Sequence, residues 1–152
     1  MRPYLHHAGK QLHFQWNVDC SVGKDGQNSL VPDVSYIQWY YTLAAINPKT
    51  PPDRRAIYSK VAVTGGCRGT ADDPLVQAIT AQQTALGHPI IDGRVSIAVG
   101  DGKIGVSAFF VLRLGARFSD MFPNAWPRLD LIPGCPTTVA EAVRAAVPGV
   151  NQ

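Results

Sequence analysis

Zinc chemistry is one possibility that the residue types near the amino terminus raise. Five side chains there belong to types that bind zinc: His6, His7, His13, Asp19 and Cys20. A zinc ion held by three such ligands can activate a water molecule for hydrolysis. Because their spacing matches no compact ligand motif, we predict no metal site and no cofactor. Zinc-dependent hydrolysis is kept as an alternative activity.

Cys67 is the second candidate for chemistry, because it lies in a Gly-Gly-Cys-Arg-Gly sequence before a predicted helix. A neighbouring arginine and a helix N-terminus both lower the pKa of a thiol and favour the reactive thiolate. Nucleophilic catalysis also needs a base, and no histidine can be placed beside Cys67 from the sequence. We therefore predict that the chain is not an enzyme. With Cys20 and Cys135, the cysteines are odd in number and widely separated, which is typical of reduced thiols.

Length and composition favour one folded domain. The chain has 152 residues, of which 45% are hydrophobic and 16% charged, which excludes a disordered protein. Its formal net charge of +3 comes from scattered Lys and Arg, so we predict no nucleic-acid partner. No stretch approaches the roughly 20 apolar residues of a membrane span. The amino terminus lacks an apolar signal-peptide core, so we expect synthesis in the cytoplasm without a signal peptide.

The first half of the chain predicts a strand and a helix. Apolar and polar residues alternate over residues 11–19, which indicates a half-buried strand. Pro32 and Asp33 suit the start of a helix, which we predict from Asp33 to Ile46. Apolar residues cover both sides of this helix. It is therefore either buried nearly all round or presents aromatic rings to a ligand.

The middle of the chain predicts a loop and a second helix. Residues 47–56 contain three prolines and should form an exposed loop. A glycine-rich loop then leads into a helix that Asp72 or Asp73 can cap, that has Pro74 near its first position and that Gly87 ends. Ile37–Gln38 and Val76–Gln77 hold similar places in the two helices, which suggests a loose internal repeat.

The last third predicts a hairpin and two helices. Val95, Ile97 and Val99 alternate before an Asp-Gly turn, which indicates a small hairpin. Residues 106–117 fit both a helix and a strand pattern, and their length favours a helix. Capping-box spacing from Thr138 to Glu141 starts the last helix, which Pro148–Gly149 should end. Together these elements predict a single α+β domain, mostly helical, over residues 1–152.

Two glycine-led turns, each followed by a helix, and a later Asp-Gly turn resemble a known family pattern. The residues that carry the resemblance are Ser21–Gly23, Pro32–Val34, Ile37–Gln38, Leu75–Gln77, Gly87 and Pro89–Val95. In this order they resemble the peptidoglycan-binding-like domain family over residues 21–96. The resemblance implies a small helical bundle, here with a short N-terminal strand and a small hairpin. Residues 97–152 form a C-terminal extension that ends in a helix.

The resemblance implies a non-catalytic module that binds the peptidoglycan of the bacterial cell wall. Sugar faces stack on aromatic rings, and stem-peptide carboxylates bind arginine. The candidate ligand-binding residues are Tyr36, Trp39, Tyr40, Arg68 and Arg94. We expect them to form a shallow groove where the glycine turns meet an exposed aromatic face of the first helix.

The wall lies outside the cytoplasm, so this function requires delivery to the periplasm or wall. A dedicated secretion system, such as the type VI system, or phage lysis would provide it. The alternative hypothesis is an intracellular adaptor, effector chaperone or immunity protein associated with a type VI system. Its partner would be a protein, whereas the wall binder would contact a glycan or a stem peptide. A zinc-dependent cell-wall hydrolase is the third hypothesis.

Overall fold

The computed structural model describes residues 1–146, apart from the side chain of Ala8. Five helices and three small antiparallel sheets confirm the prediction of an α+β, mostly helical fold. The strands are β1 (Arg2–Ala8), β2 (Gln11–Asn17), β3 (Val22–Gly23), β4 (Arg94–Val95), β5 (Lys103–Ile104) and β6 (Ser107–Ala108). The helices are α1 (Val31–Ile46), α2 (Pro52–Tyr58), α3 (Pro74–Ala85), α4 (Phe110–Met121) and α5 (Thr137–Ala146). Within residues 1–146, no helix is both long and apolar enough to span a bilayer.

The N-terminal strand predicted over residues 11–19 is β2, and it has a partner that was not predicted. β1 pairs with β2 in an antiparallel hairpin whose turn, Gly9–Lys10, places Gly9 at a φ of 64°. Strand β1 lacks a clear apolar alternation, because the outer part of the hairpin extends from the core. Leu5, for example, is 59% exposed although it pairs with Phe14.

Helix α1 is buried nearly all round, which decides between the two alternatives that its sequence left open. Ten of its sixteen residues are buried. The buried carboxylate of Asp33 accepts hydrogen bonds from the backbone N–H groups of Asp19 and Cys20, at 2.7 and 2.9 Å. Asp33 therefore joins the start of α1 to the chain that leaves β2.

The prediction of a loop over residues 47–56 is wrong in its second half. Helix α2 begins at Pro52, with Pro51 at its N-cap position. A proline at the first helical position loses no hydrogen bond, because that N–H has no partner within a helix. The proline pair therefore starts a short helix here and does not prevent one.

Three glycine turns meet at one junction. β3 pairs with β4, the N–H of Lys24 donates to the carbonyl of Gly93, and the N–H of Asp25 donates to that of Gly69, both at 3.0 Å. Val95 is consequently paired with Val22 and fully buried. The hairpin predicted from Val95 to Val99 is therefore wrong.

The small hairpin of the C-terminal region lies further along the chain. It consists of β5 and β6, in which Lys103 pairs with Ala108. Because residues 107–108 belong to a strand, helix α4 begins at Phe110 and not at residue 106. Helix α5 begins at Thr137, close to its predicted start, and its predicted end at Pro148–Gly149 lies outside the described residues.

Two buried glutamines hold the glycine turns to the helices. The Oε1 atom of Gln38 accepts from the N–H groups of Thr64 and Gly65 at 3.0 and 2.9 Å. The Oε1 atom of Gln83 accepts from the N–H groups of Asp92 and Gly93 at 3.2 and 2.9 Å. Gln77, the predicted counterpart of Gln38, is exposed. The residue of α3 that holds a turn as Gln38 does is therefore Gln83, six residues after Gln77.

Candidate functional site

The predicted aromatic face of α1 lies mainly in the core. Tyr36 and Trp39 are 0% and 3% exposed. Phe118 of α4 contacts both, with its ring centroid 5.3 Å from that of Tyr36 and 5.1 Å from that of Trp39. The prediction that these two rings face a ligand is therefore wrong. Phe118 belongs to the C-terminal extension, outside the segment that resembles the family, so that resemblance could not show that the rings are covered.

Tyr40 is also buried, but it contributes to an open cleft. Its hydroxyl accepts a hydrogen bond of 2.8 Å from Nε2 of Gln82. Desolvation raises the pKa of Tyr40 to about 12, although the Gln82 hydrogen bond and the positive charges of Arg117 and Arg54 lower it. The phenol is therefore protonated at neutral pH, and its O–H can donate to a ligand.

The cleft, hereafter the α1–α4 cleft, has a volume of about 760 Å³. It lies between the end of α1, the start of α2, the end of α3 and the end of α4. The residues that line it are Tyr40, Leu43, Ala44, Ile46, Asn47, Lys49, Thr50, Pro51, Arg54, Tyr58, Gln82, Leu86, Arg117, Asp120, Met121 and Phe122. This volume falls within the range of about 300–1,000 Å³ that small-molecule sites occupy.

The charged residues of the cleft are mostly cationic. Lys49, Arg54 and Arg117 line it, together with one acid, Asp120. Across residues 1–146, none of the three cations forms a salt bridge with a carboxylate. An unneutralised positive charge in a concave surface attracts anions, because low-dielectric walls concentrate the field.

Gln82 supplies a buried amide to the same cleft. The residue is 4% exposed, and its Oε1 atom has no hydrogen-bond partner in the part of the chain that the structure describes. A buried acceptor without a partner costs about 1–3 kcal/mol. Because this oxygen is shielded from solvent, Gln82 contributes to the cleft by holding the Tyr40 hydroxyl through its Nε2 atom.

Tyr58 lies beside Arg54 on the α2 side of the cleft. Burial raises the pKa of the Tyr58 phenol, and the positive charge of Arg54 beside it partly offsets that effect. The Tyr58 hydroxyl is buried and has no hydrogen-bond partner within the described residues.

The two arginines predicted from the glycine turns do not line this cleft. The side chain of Arg68 is 68% exposed and lies 3.7 Å from the carboxylate of Asp72. The Arg94 guanidinium lies 3.5 Å from the carboxylate of Asp92. Of the five predicted ligand-binding residues, only Tyr40 contributes to the cleft. Arg68 and Arg94 each have a local carboxylate that competes with an anionic ligand.

The proposed activation of Cys67 is not supported by its surroundings. Burial raises the pKa of the Cys67 thiol, and the nearby carboxylate of Asp73 raises it further. Arg68 points its charge at acidic neighbours, with its Nε atom 3.9 Å from Asp73. The thiol form is therefore favoured over the nucleophilic thiolate.

The five zinc-binding residue types are not brought together. His6 lies opposite His13 in the hairpin, with ring centroids 5.7 Å apart, whereas His7 is on the opposite face of the strand. The carboxylate of Asp19 accepts a hydrogen bond from Arg2. The described residues contain no group of three or more His, Cys, Asp or Glu side chains that could hold a metal ion.

Comparisons with family models, with curated proteins and with solved structures found no match to this chain. The α1–α4 cleft is therefore interpreted from its own geometry. Few features of the sequence indicate this cleft, because Lys49 and Arg54 belong to the segment predicted as a loop and Arg117 to the extension.

Proposed function

We propose that this chain is a non-catalytic module that binds bacterial peptidoglycan, and that the α1–α4 cleft holds the ligand in place of the predicted aromatic face. The observation that carries this proposal is the combination, in one cleft, of three cations without carboxylate partners among the described residues and a protonated phenol that can donate a hydrogen bond. Peptidoglycan offers the complementary groups, since its stem peptides carry carboxylates and amides.

The apolar part of the cleft supports the same ligand class. Leu43, Leu86, Met121 and Phe122 are half-buried and line the cleft beside the polar groups. Small-molecule sites combine apolar walls with a few polar groups that fix the orientation of the ligand. The methyl groups and sugar faces of peptidoglycan would contact these walls, while Tyr40 and the cations would bind its polar groups.

Delivery to the wall belongs to the same proposal. The chain would reach the periplasm or the wall through a dedicated export machine, such as a type VI secretion system, or through phage lysis. The partner is then the wall polymer itself.

Binding to purified sacculi tests the proposal. We expect the wild-type chain to sediment with sacculi, and Arg117→Gln to bind about tenfold more weakly, because a hydrogen bond to a charged group is worth about 1.5–3 kcal/mol. Lys10→Gln is the matched control, since it removes one positive charge from the exposed hairpin turn, outside the cleft. A wild-type chain that stays in the supernatant would contradict the proposal, as would equal sedimentation of the two variants.

One observation favours the adaptor hypothesis as a second candidate. Leu5 and Leu12 of the N-terminal hairpin are each 59% exposed, and Val106 at the tip of the second hairpin is 98% exposed. Exposed apolar side chains on strands suit a protein partner. In the sacculus experiment, an adaptor would stay soluble and co-purify with that partner.

A further inference from the structure

We infer that the α1–α4 cleft recognises the free carboxylate of a stem peptide and not the glycan strand. This inference rests on the proposed function, and it names the part of the polymer that the cleft selects. It follows from three features of the cleft: two guanidiniums that line it, a lysine and a protonated phenol.

The two guanidiniums come from different helices and line the same cleft. Arg54 belongs to α2 and Arg117 to α4, and both line the cleft with Tyr40. The positive charges of both arginines lower the pKa of Tyr40. Both cations are therefore close enough to the Tyr40 hydroxyl to stabilise a negative charge there. A carboxylate held beside that hydroxyl would therefore experience both positive charges. Guanidinium groups bind carboxylates through paired, charge-assisted hydrogen bonds.

The net charge of the lining distinguishes a carboxylate from a sugar. Lys49 adds a third cation, and Asp120 is the one acid that lines the cleft, so the positive charge is reduced but not cancelled. A neutral glycan would leave three cations without an anionic partner. A peptide carboxylate would neutralise one of them without leaving a buried charge of its own unpaired.

Tyr40 can add a hydrogen bond to the same carboxylate. Its hydroxyl accepts from Nε2 of Gln82 at 2.8 Å, which leaves its own O–H free to donate. Gln82 thus holds the phenol, while its Oε1 atom is shielded from solvent. Tyr40 and the arginines would then bind one carboxylate together.

Calorimetry with three probes tests this inference. The probes are the tripeptide L-alanyl-γ-D-glutamyl-L-lysine, the same tripeptide with its carboxylates converted to amides, and chitotriose as a glycan without peptide. We expect the free tripeptide to bind and amidation to weaken binding about tenfold or more. Chitotriose should show no saturable binding. The affinity for the tripeptide should also fall as ionic strength rises.

Variants locate the effect in the cleft. The double variant Arg54→Gln, Arg117→Gln should lose tripeptide binding, while Lys10→Gln should keep it. Thermal melting of each variant reports whether it is folded.

Equal binding of the free and amidated tripeptides would overturn the inference, as would absent tripeptide binding or saturable chitotriose binding. If sacculi still sediment the wild-type chain in these cases, the proposed function stands without the inference. If the tripeptide binds and sacculi do not, the carboxylate site stands and the proposed function fails.

Discussion

Replacing Trp39 by alanine should lower the free energy of unfolding by about 3–5 kcal/mol, the usual cost of truncating a buried tryptophan. The side chain is 3% exposed and packs against Phe118. Its removal would leave a cavity between α1 and α4 that a packed interior fills only in part. Urea unfolding followed by circular dichroism would measure the change.

Ile46→Ala is the matched control for this variant. Ile46 is the last residue of the same helix and is 77% exposed, so its truncation should change the free energy of unfolding by no more than about 0.5 kcal/mol. A Trp39→Ala variant that keeps wild-type stability but no longer binds sacculi would contradict the burial described above. That result would restore the prediction of an aromatic ligand-binding face.

Replacing Gly23 by alanine should lower the free energy of unfolding by about 2–5 kcal/mol. Gly23 has a φ of 116°, where an L-residue is strained by roughly 1–2 kcal/mol. An added Cβ would also lie 2.3 Å from the carbonyl oxygen of Gly93, in the pairing of β3 with β4. Relief of that contact requires the two strands to separate. Overpacking of this kind typically costs a further kcal/mol or more, about 1–3 kcal/mol.

A second glycine provides the control. Gly66 lies in another of the three turns, has no positive φ, and a Cβ built on it would meet no atom within 4 Å. Gly66→Ala should therefore unfold at nearly the wild-type urea concentration. Equal midpoints for the Gly23 and Gly66 variants would show that the junction of the turns does not contribute to stability as described.

The elements with strong local signals were predictable from the sequence. Helix α3 has Asp73 as its N-cap, with the carboxylate accepting from the N–H of Leu75 at 2.9 Å, and it starts at Pro74 as expected. Strand β2 shows a clear alternation and was also predicted. In contrast, β1 and the pairing of Val22 with Val95 depend on contacts between distant segments. Periodicity alone does not report such contacts.

The candidate site was less predictable than the fold. The sequence indicated an aromatic helix but not that Phe118, 79 positions after Trp39, would cover it. The cations of the cleft come from a connecting segment and from two helices, with no shared motif. Only the packing of α2 and α4 around the end of α1 brings Arg54 and Arg117 to the same cavity.

The location of the ligand is the central claim, and nuclear magnetic resonance tests it most directly. ¹⁵N-labelled protein would be titrated with the stem tripeptide, and backbone and side-chain N–H shifts would be followed. We predict that the largest changes occur at Lys49, Arg54, Gln82 and Arg117. Changes centred on Arg68 and Arg94, or no saturable changes at all, would contradict binding in the α1–α4 cleft.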